Sequence, residues 1–157
     1  MIATATGTRI ATVEREDLGA QFARVTRVLI DAERPLLDAR ELSMWGYIVL
    51  SALATGDADT QLALSERIGY DKTRLIGLLD QLQLQGLVER EPDPADRRAR
   101  RVRLTAAGRA RYKAAREDVH AMEDALLARL DDAERRALHS ALASLSSRGR
   151  RESSGTG

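Results

Sequence analysis

The amino-acid sequence predicts a mainly α-helical fold with one small β-hairpin, and three observations support this fold class. Apolar residues recur at helical spacing along most of the 157-residue chain. Two short runs of strand type, beginning near residue 87 and ending near residue 104, flank a turn rich in proline and aspartate. The helical spacing then resumes and continues to residue 145. The length fits one domain, or one domain with an extension for dimerisation.

The composition is typical of a folded protein. Hydrophobic residues make up 43% of the chain and charged residues 31%, and the formal net charge is +1. No apolar run approaches the roughly 20 residues of a membrane span, and the first residues do not resemble a signal peptide. We therefore expect a cytoplasmic protein that does not contact a membrane. The chain has no cysteine, which excludes disulfides, thiolate catalysis and thiol-based redox sensing by its own residues.

Two helices are predicted before residue 56. The first follows from apolar residues spaced by four, three and four: Leu18, Phe22, Val25 and Leu29. Pro35 predicts a kink or a stop near its end. The second helix has Ser43 as its N-cap and Gly56 at its C-terminal end. It is apolar nearly all round, which predicts burial between other elements.

A short helix, a turn containing Gly69 and a longer helix follow, which is the helix-turn-helix pattern. Asp71 is a favourable N-cap for the longer helix, and Gly86 ends it. Its apolar stripe comprises Leu75, Leu78, Leu79 and Leu82. The opposite face carries residue types that hydrogen-bond base edges, together with a glycine that allows close approach of a backbone. These residues are Thr73 and Gly77 and, nearer the edges of the face, Arg74, Asp80 and Gln81. The alternative is an ordinary solvated helix face.

A β-hairpin that follows a helix-turn-helix is a wing, and this one is strongly basic. Residues 96–103 carry five positive charges and one negative charge. The arginines are Arg97, Arg98, Arg100, Arg101 and Arg103. A helix fits the major groove of DNA, and a neighbouring basic hairpin reaches phosphates or the minor groove. The alternative is a solvated charge run that nearby carboxylates balance.

Three motifs occur in order in this region: Gly86-Leu87-Val88, Asp96-Arg97-Arg98 and Leu104-Thr105-Ala106-Ala107-Gly108. Together they resemble the MarR family of bacterial transcriptional regulators, and the resemblance covers roughly residues 16–146. It implies a winged-helix homodimer whose terminal helices intertwine. It also implies binding to palindromic operators in double-stranded DNA, with release by small molecules that are often aromatic acids or phenols.

The resemblance also assigns roles to residues. It implies that residues 71–85 form the DNA-reading helix, and we add the neighbouring Lys72 to the predicted contacts. It implies a salt bridge by which Asp96 fixes Arg98 for the minor groove. Many members of the family have small hydroxyl residues at Asp71 and Arg74, and arginine or a similar residue at Gly77. We therefore expect a different operator sequence from the better-known ones.

The helices after the wing fit a dimer. Thr105 is predicted to cap a long helix running to about Leu130, and Asp131 with Glu134 resembles a capping box that opens a last helix. Such long helices need partners, and a second chain supplies them; the alternative is a monomeric bundle. We predict a helical dimerisation region over residues 15–55 and 105–147 and a DNA-binding lobe over residues 56–104. Residues 1–14 and 148–157 lack helical periodicity with an apolar face and are predicted to be flexible.

An effector pocket between the two regions is a further expectation from the resemblance. The candidate residues are Phe22, Met44, Tyr47, Tyr112 and His120. Met44 and Tyr47 share a helix face, whereas Trp45 and Tyr47 point in nearly opposite directions. The alternative is that these residues form ordinary core.

We predict a sequence-specific regulator of transcription, a dimeric repressor that a small ligand releases. The alternative is a winged-helix module that binds DNA or protein without sensing a ligand. An enzyme is not expected, because the chain lacks a phosphate-cradling glycine loop and any Ser-His-Asp or paired-carboxylate context. We expect no cofactor. We also expect no metal site, because the two histidines have no ligand cluster at suitable spacing.

Overall fold

The computed structural model describes residues 16–56 and 59–152. Over these residues the chain forms six helices and three short strands, which confirms the mainly α-helical fold class with a small β-wing. In chain order they are α1 (Leu18–Ala39), α2 (Met44–Ala54), β1 (Asp59–Thr60), α3 (Gln61–Ile68), α4 (Lys72–Leu84), β2 (Val88–Pro92), β3 (Arg100–Leu104), α5 (Ala106–Leu127) and α6 (Asp132–Glu152). The predicted N-terminal arm, residues 1–14, lies outside the described residues.

The strands form one antiparallel sheet in the order β1-β3-β2. β2 and β3 are the predicted hairpin, and they pair from Val88 opposite Leu104 to Pro92 opposite Arg100. β1 adds a third strand by pairing Asp59 with Val102. The sequence does not predict β1, because a two-residue strand carries no alternating pattern.

The core lies where α2, α3, α4 and the sheet meet, and α1 and α5 extend it. Val49 and Leu50 of α2 are fully buried, which confirms the predicted burial of this helix. The other buried hydrophobic residues come from every helix except α6, from the sheet, and from the turns before α2 and β2. They are Leu37, Leu42, Leu53, Leu64, Leu75, Leu79, Leu82, Leu87, Val88, Val102, Ala115 and Val119.

α1 continues through Pro35 to Ala39, so of the predicted kink or stop at this proline the stop does not occur. Pro35 removes its own N–H donor, but Leu37 in the last turn is buried in the core and keeps that turn helical. The helix ends in a Schellman motif, in which the Leu42 N–H donates to the Leu37 carbonyl at 2.9 Å. Glu41 occupies the left-handed position of this motif, with φ 54°.

The caps of the last two helices agree with the sequence. The Thr105 hydroxyl accepts a hydrogen bond from the Gly108 N–H at 2.9 Å. Asp131 and Glu134 form a reciprocal capping box, because the Asp131 carboxylate accepts from the Glu134 N–H at 2.8 Å and the Asp131 N–H donates to Glu134 at 2.9 Å. α5 ends at Leu127, somewhat earlier than predicted.

The last helix extends further than its apolar pattern. α6 continues to Glu152, so residues 148–152, predicted as part of a flexible tail, are helical. Backbone hydrogen bonding propagates a helix past its last apolar position, Leu145, without needing a buried face there. Residues 153–157 lie outside the described part of the chain.

Candidate nucleic-acid interface

α4 presents one polar face to solvent, as the leucine stripe predicts. The Asp71 side chain caps the helix by accepting a hydrogen bond from the Arg74 N–H at 2.9 Å. Leu75, Leu79 and Leu82 are buried, so the opposite side points outward. The predicted contact residues are all exposed there, and we call them the reading face: Lys72, Thr73, Arg74, Gly77 and Gln81. Nothing lies within 4 Å of the position that a Cβ on Gly77 would occupy.

Two apolar residues of α4 are also exposed, and the sequence analysis missed them. Ile76 lies beside the reading face, and Leu84 at the end of the helix is 89% exposed. The sequence contains the information needed to predict their exposure, because neither residue belongs to the buried apolar stripe at helical spacing.

The tip of the wing is built around a buried carboxylate. The backbone N–H of Asp93 donates to the Ala99 carbonyl at 3.0 Å, and its side chain accepts from the Ala95 N–H at 2.9 Å. Arg101 turns toward this group, with 3.4 Å between its Nε and the Asp93 Oδ1. This Nε is buried without a well-formed hydrogen bond. Of the predicted wing contacts, Arg101 is therefore the one turned inward.

The remaining wing arginines fall into a paired and an unpaired set. Arg103 is held within the hairpin by Glu91 and, at 3.2 Å, by Glu89. Arg97, Arg98 and Arg100 are exposed, and over the described residues they form no ion pair. Asp96 lies at the same tip, so the described tip carries three arginines, one exposed carboxylate and a net positive charge.

Asp96 does not bind the Arg98 guanidinium in this structure. Its carboxylate accepts a hydrogen bond from the Arg98 backbone N–H at 2.9 Å, and its carbonyl accepts from the Ala99 N–H at 2.9 Å. This is an Asx turn, which shapes the tip of the wing. The salt bridge that the resemblance implies is therefore replaced by a backbone contact, and the Arg98 side chain stays free for a ligand.

A cavity of about 450 Å³ connects the wing to the reading face. Lys72, Arg98 and Arg100 bring positive charge to its walls, and Thr60 and Gln61 bring polar side chains from the start of α3. Thr60 caps α3 by accepting from the Ala63 N–H at 3.1 Å. The sequence analysis missed Thr60 and Gln61, although a threonine directly before a predicted helix marks that position.

The arrangement matches known proteins. A sequence profile of the MarR family matches residues 42–99, which span α2 to the wing tip. MarR from E. coli in its apo form superposes with a TM-score of 0.75 at 25% identity, covering 84% of this chain and 98% of that one. The transcriptional repressor CouR, solved on a 23-mer DNA duplex, gives a TM-score of 0.77 at 27% identity, covering 83% and 92%. NadR, in complex with 4-hydroxyphenylacetate, shares the fold with a TM-score of 0.69 at 23% identity, covering 84% and 94%.

Residues 42–99 match the MarR family, and the described fold is that of MarR-family regulators. These similarities support a transcriptional regulator with a DNA-binding winged helix, and MarR-family regulators are not enzymes. The match confirms the resemblance to the MarR family that the motifs around Gly86, Asp96 and Thr105 indicate.

The five predicted effector residues do not line one pocket. Tyr47 and Tyr112 meet, with ring centroids 5.7 Å apart, and Met44 packs half-buried against the same core. Phe22 lies in a separate apolar groove, and His120 is exposed on α5. The 22-residue length of α1 explains the separation, because the two ends of such a helix lie roughly 30 Å apart.

Tyr47 lies in an electrostatically unusual position. Burial, the neighbouring Tyr112 and the negative charges of Glu33 and Glu123 raise the pKa of Tyr47 to about 12. The pKa of Glu33 is also raised, by burial and by Glu123. On the other side of α2, Trp45 stacks on Tyr70 with ring centroids 4.1 Å apart. This confirms that Trp45 and Tyr47 point in different directions.

The described residues provide neither a membrane-spanning helix nor a metal-binding cluster. None of their helices combines the length and the apolar character that crossing a bilayer requires. The same residues contain no group of three or more His, Cys, Asp or Glu side chains placed to hold a metal ion.

Proposed function

We propose that this MarR-family regulator is a cytoplasmic, dimeric repressor that reads a palindromic operator and is released by a small aromatic ligand. The observation that carries the DNA-binding part is the set of three arginines at the wing tip that pair with no carboxylate of the described residues, Arg97, Arg98 and Arg100, beside the exposed reading face of α4. The reading face enters the major groove, and the wing tip contacts phosphates and the adjacent minor groove.

The dimer is supported by apolar surface on the terminal helices. α1, α5 and α6 surround an apolar groove of about 400 Å³. Its lining includes Phe22, Val25, Leu138 and Leu142, all of which are exposed in the single chain. A contiguous apolar surface on two long helices favours association, and a second copy offers the same two helices. Two-fold symmetry would place two reading faces on successive major grooves about 34 Å apart.

The ligand site is proposed around Tyr47 and Tyr112. The Tyr112 hydroxyl lies 3.3 Å from the Ser51 hydroxyl, and a cavity of about 340 Å³ opens beside Tyr47. Arg67 brings a guanidinium to the wall of this cavity. Tyr47 lines the cavity with Ile48 and Ile68, and Tyr112 packs on Tyr47 outside the lining. One aromatic ring and apolar side chains beside a guanidinium suit an aromatic acid. The cavity lies between α2 and α3, so its occupant is placed to change the angle between the dimerisation helices and the reading face.

The test is fluorescence anisotropy with two labelled duplexes over a salt series. One duplex holds the intergenic DNA upstream of the protein's own gene, and the other holds the same bases shuffled. We expect strong preference for the native duplex and a steep loss of affinity with salt. Arg98→Ala should weaken binding to both duplexes and lower the salt slope by about 0.9, the effect of one phosphate contact.

Arg103→Ala is the matched control, because it removes the same charge from the same hairpin. Glu89 and Glu91 already compensate Arg103, so its loss should change the salt slope much less. Equal slopes for the wild type and Arg98→Ala would overturn the wing assignment. For the ligand, 4-hydroxyphenylacetate and benzoate should lower operator affinity in the wild type and not in Tyr112→Ala. Operator affinity that neither acid changes would favour a winged-helix module without ligand sensing.

A further inference from the structure

One carboxylate lies beside the reading face of α4. Asp80 projects from the exposed side of the helix, and its side chain is 53% exposed. It lies on the turn after Gly77 and one residue before Gln81, both of which belong to the reading face. A carboxylate at this place is repelled by DNA phosphates unless it is compensated or accepts a hydrogen bond from a cytosine amino group.

Arg90 of the wing reaches this carboxylate. Its Nη2 donates to the Asp80 Oδ1, and its Nε donates at 2.7 Å to the side-chain oxygen of Gln83, one turn further along α4. The Arg90 side chain is only 21% exposed. Arg90 pairs with Val102, the buried residue of the central strand β3, so its backbone belongs to the most constrained part of the sheet.

We propose that Arg90 is a positioning residue for DNA reading, which compensates the charge of Asp80 and fixes α4 relative to the wing. This inference rests on the proposed function, since it concerns how the reading face meets DNA. A planar guanidinium that donates to two residues of one helix fixes the orientation of that helix and also neutralises a negative charge on it. Arg90 thereby connects the two elements that contact DNA.

If Arg90 served only the stability of the fold, DNA affinity and thermal stability would fall together when it is removed. An ion pair with a half-exposed carboxylate contributes little to stability, so the loss of Arg90 should leave thermal unfolding nearly unchanged. Its loss should nevertheless uncover a negative charge beside the DNA, where an uncompensated charge acts at short range. DNA affinity and stability should therefore respond differently to the same substitution.

The experiment is a double-mutant cycle on the native and shuffled duplexes. We expect Arg90→Met to weaken operator binding about tenfold, with a larger effect at low salt. Adding Asp80→Asn to Arg90→Met should recover most of this loss, because the uncompensated charge is gone. In the wild-type background, where Arg90 compensates the charge, Asp80→Asn should improve binding much less. Arg90→Lys keeps the charge but loses the two-point contact of the guanidinium, so it should keep the wild-type salt slope while binding about threefold more weakly than the wild type.

Arg40→Met is the matched control, since it uncovers one carboxylate, that of Asp118, between the end of α1 and α5, and it should leave operator affinity unchanged. Operator affinity of Arg90→Met equal to that of the wild type would overturn the inference. An Asp80→Asn effect that is equal in both backgrounds would overturn it as well, because Arg90 would then act independently of Asp80. If the wild type itself binds the native and shuffled duplexes equally, the proposed function fails; if only the cycle fails, the proposed function stands.

Discussion

Gly108 packs directly against the backbone of Leu87. A Cβ on Gly108 would lie 1.9 Å from the Leu87 carbonyl oxygen and 2.8 Å from its carbon. The same carbonyl accepts a hydrogen bond from the Thr105 N–H at 3.1 Å, and the Thr105 hydroxyl donates to the Gly86 carbonyl at 2.6 Å. The motif at the end of α4 and the motif at the start of α5 are therefore two halves of one junction, which holds the wing against the long helix.

We predict that Gly108→Ala destabilises the protein strongly. The added methyl meets backbone rather than a flexible side chain, so α5 has to move, and overpacking of this kind costs about 3 kcal/mol or more. Urea unfolding followed by circular dichroism measures the loss. Gly77→Ala is the control for stability, because its methyl meets open space and alanine is favoured over glycine in a helix by about 1 kcal/mol. Equal stabilities of Gly108→Ala and the wild type would contradict the close contact.

The role of Asp96 gives a second prediction. Its carboxylate oxygen accepts from the Arg98 backbone N–H, and the side-chain amide of asparagine can accept the same bond. Asp96→Asn should therefore retain operator affinity and wing stability, whereas Asp96→Ala should lose about 1 kcal/mol of stability and weaken binding. Fluorescence anisotropy gives the operator affinity of the wild type, Asp96→Asn and Asp96→Ala, and it distinguishes a backbone hydrogen bond from a salt bridge as the role of Asp96. If Asp96→Asn loses as much operator affinity as Asp96→Ala, the negative charge of Asp96 is what matters, and its function is the salt bridge to Arg98.

Glu41 gives a third prediction, because it adopts a conformation that usually belongs to glycine. Its side chain is 77% exposed and lies 3.1 Å from the Arg111 guanidinium, so the ion pair adds little stability. The left-handed backbone costs a residue with a side chain about 1 kcal/mol. We expect Glu41→Gly to be more stable than Glu41→Ala by about that amount. Thermal unfolding of both variants is the measurement, and a less stable glycine variant would refute the argument from strain.

The sequence predicts most caps of this chain and few of its long-range contacts. Asp71, Thr105 and Asp131 cap helices as expected, because a cap depends on residues within one turn. The partners of Arg90 are seven and ten residues away along the chain, and their meeting depends on how the sheet packs on α4. The pattern of charges in the sequence predicts one continuous ridge of wing arginines. In the folded hairpin, Arg103 pairs with Glu89 and Glu91, whereas Arg98 pairs with no carboxylate of the described residues.

The helices of the proposed dimerisation region give a fourth prediction. Leu142 lines the apolar groove and is exposed in the single chain. In a dimer, Leu142→Glu would bury a charge without a partner, and we expect this variant to be monomeric at micromolar concentration and to lose operator binding. Sedimentation velocity is the measurement. Leu84→Glu is the control, since Leu84 is also exposed but lies on α4 outside the groove. If Leu142→Glu sediments like the wild type, the groove is not the interface.

The raised pKa of Tyr47 predicts how stability depends on pH in the alkaline range. Its phenol has an ordinary pKa near 10, and burial raises the pKa to about 12 in the folded protein. Between these values the unfolded chain loses the phenolic proton while the folded chain retains it, so ionisation favours the unfolded state. The contribution of Tyr47 is thus present below about pH 10 and is lost as the pH rises toward about 12. Tyr47→Phe removes this dependence.

Two measurements on the same samples test this relation. Titration of phenolate absorbance should reveal a late-ionising tyrosine in the wild type that is missing in Tyr47→Phe. Urea unfolding should show that the wild type loses more stability than Tyr47→Phe between about pH 9 and about pH 11. Glu33→Gln is the matched variant, because removing one of the negative charges that disfavour the phenolate should lower the pKa of Tyr47. Identical pH profiles for the wild type and Tyr47→Phe would mean that Tyr47 ionises as freely in the folded protein as in the unfolded chain.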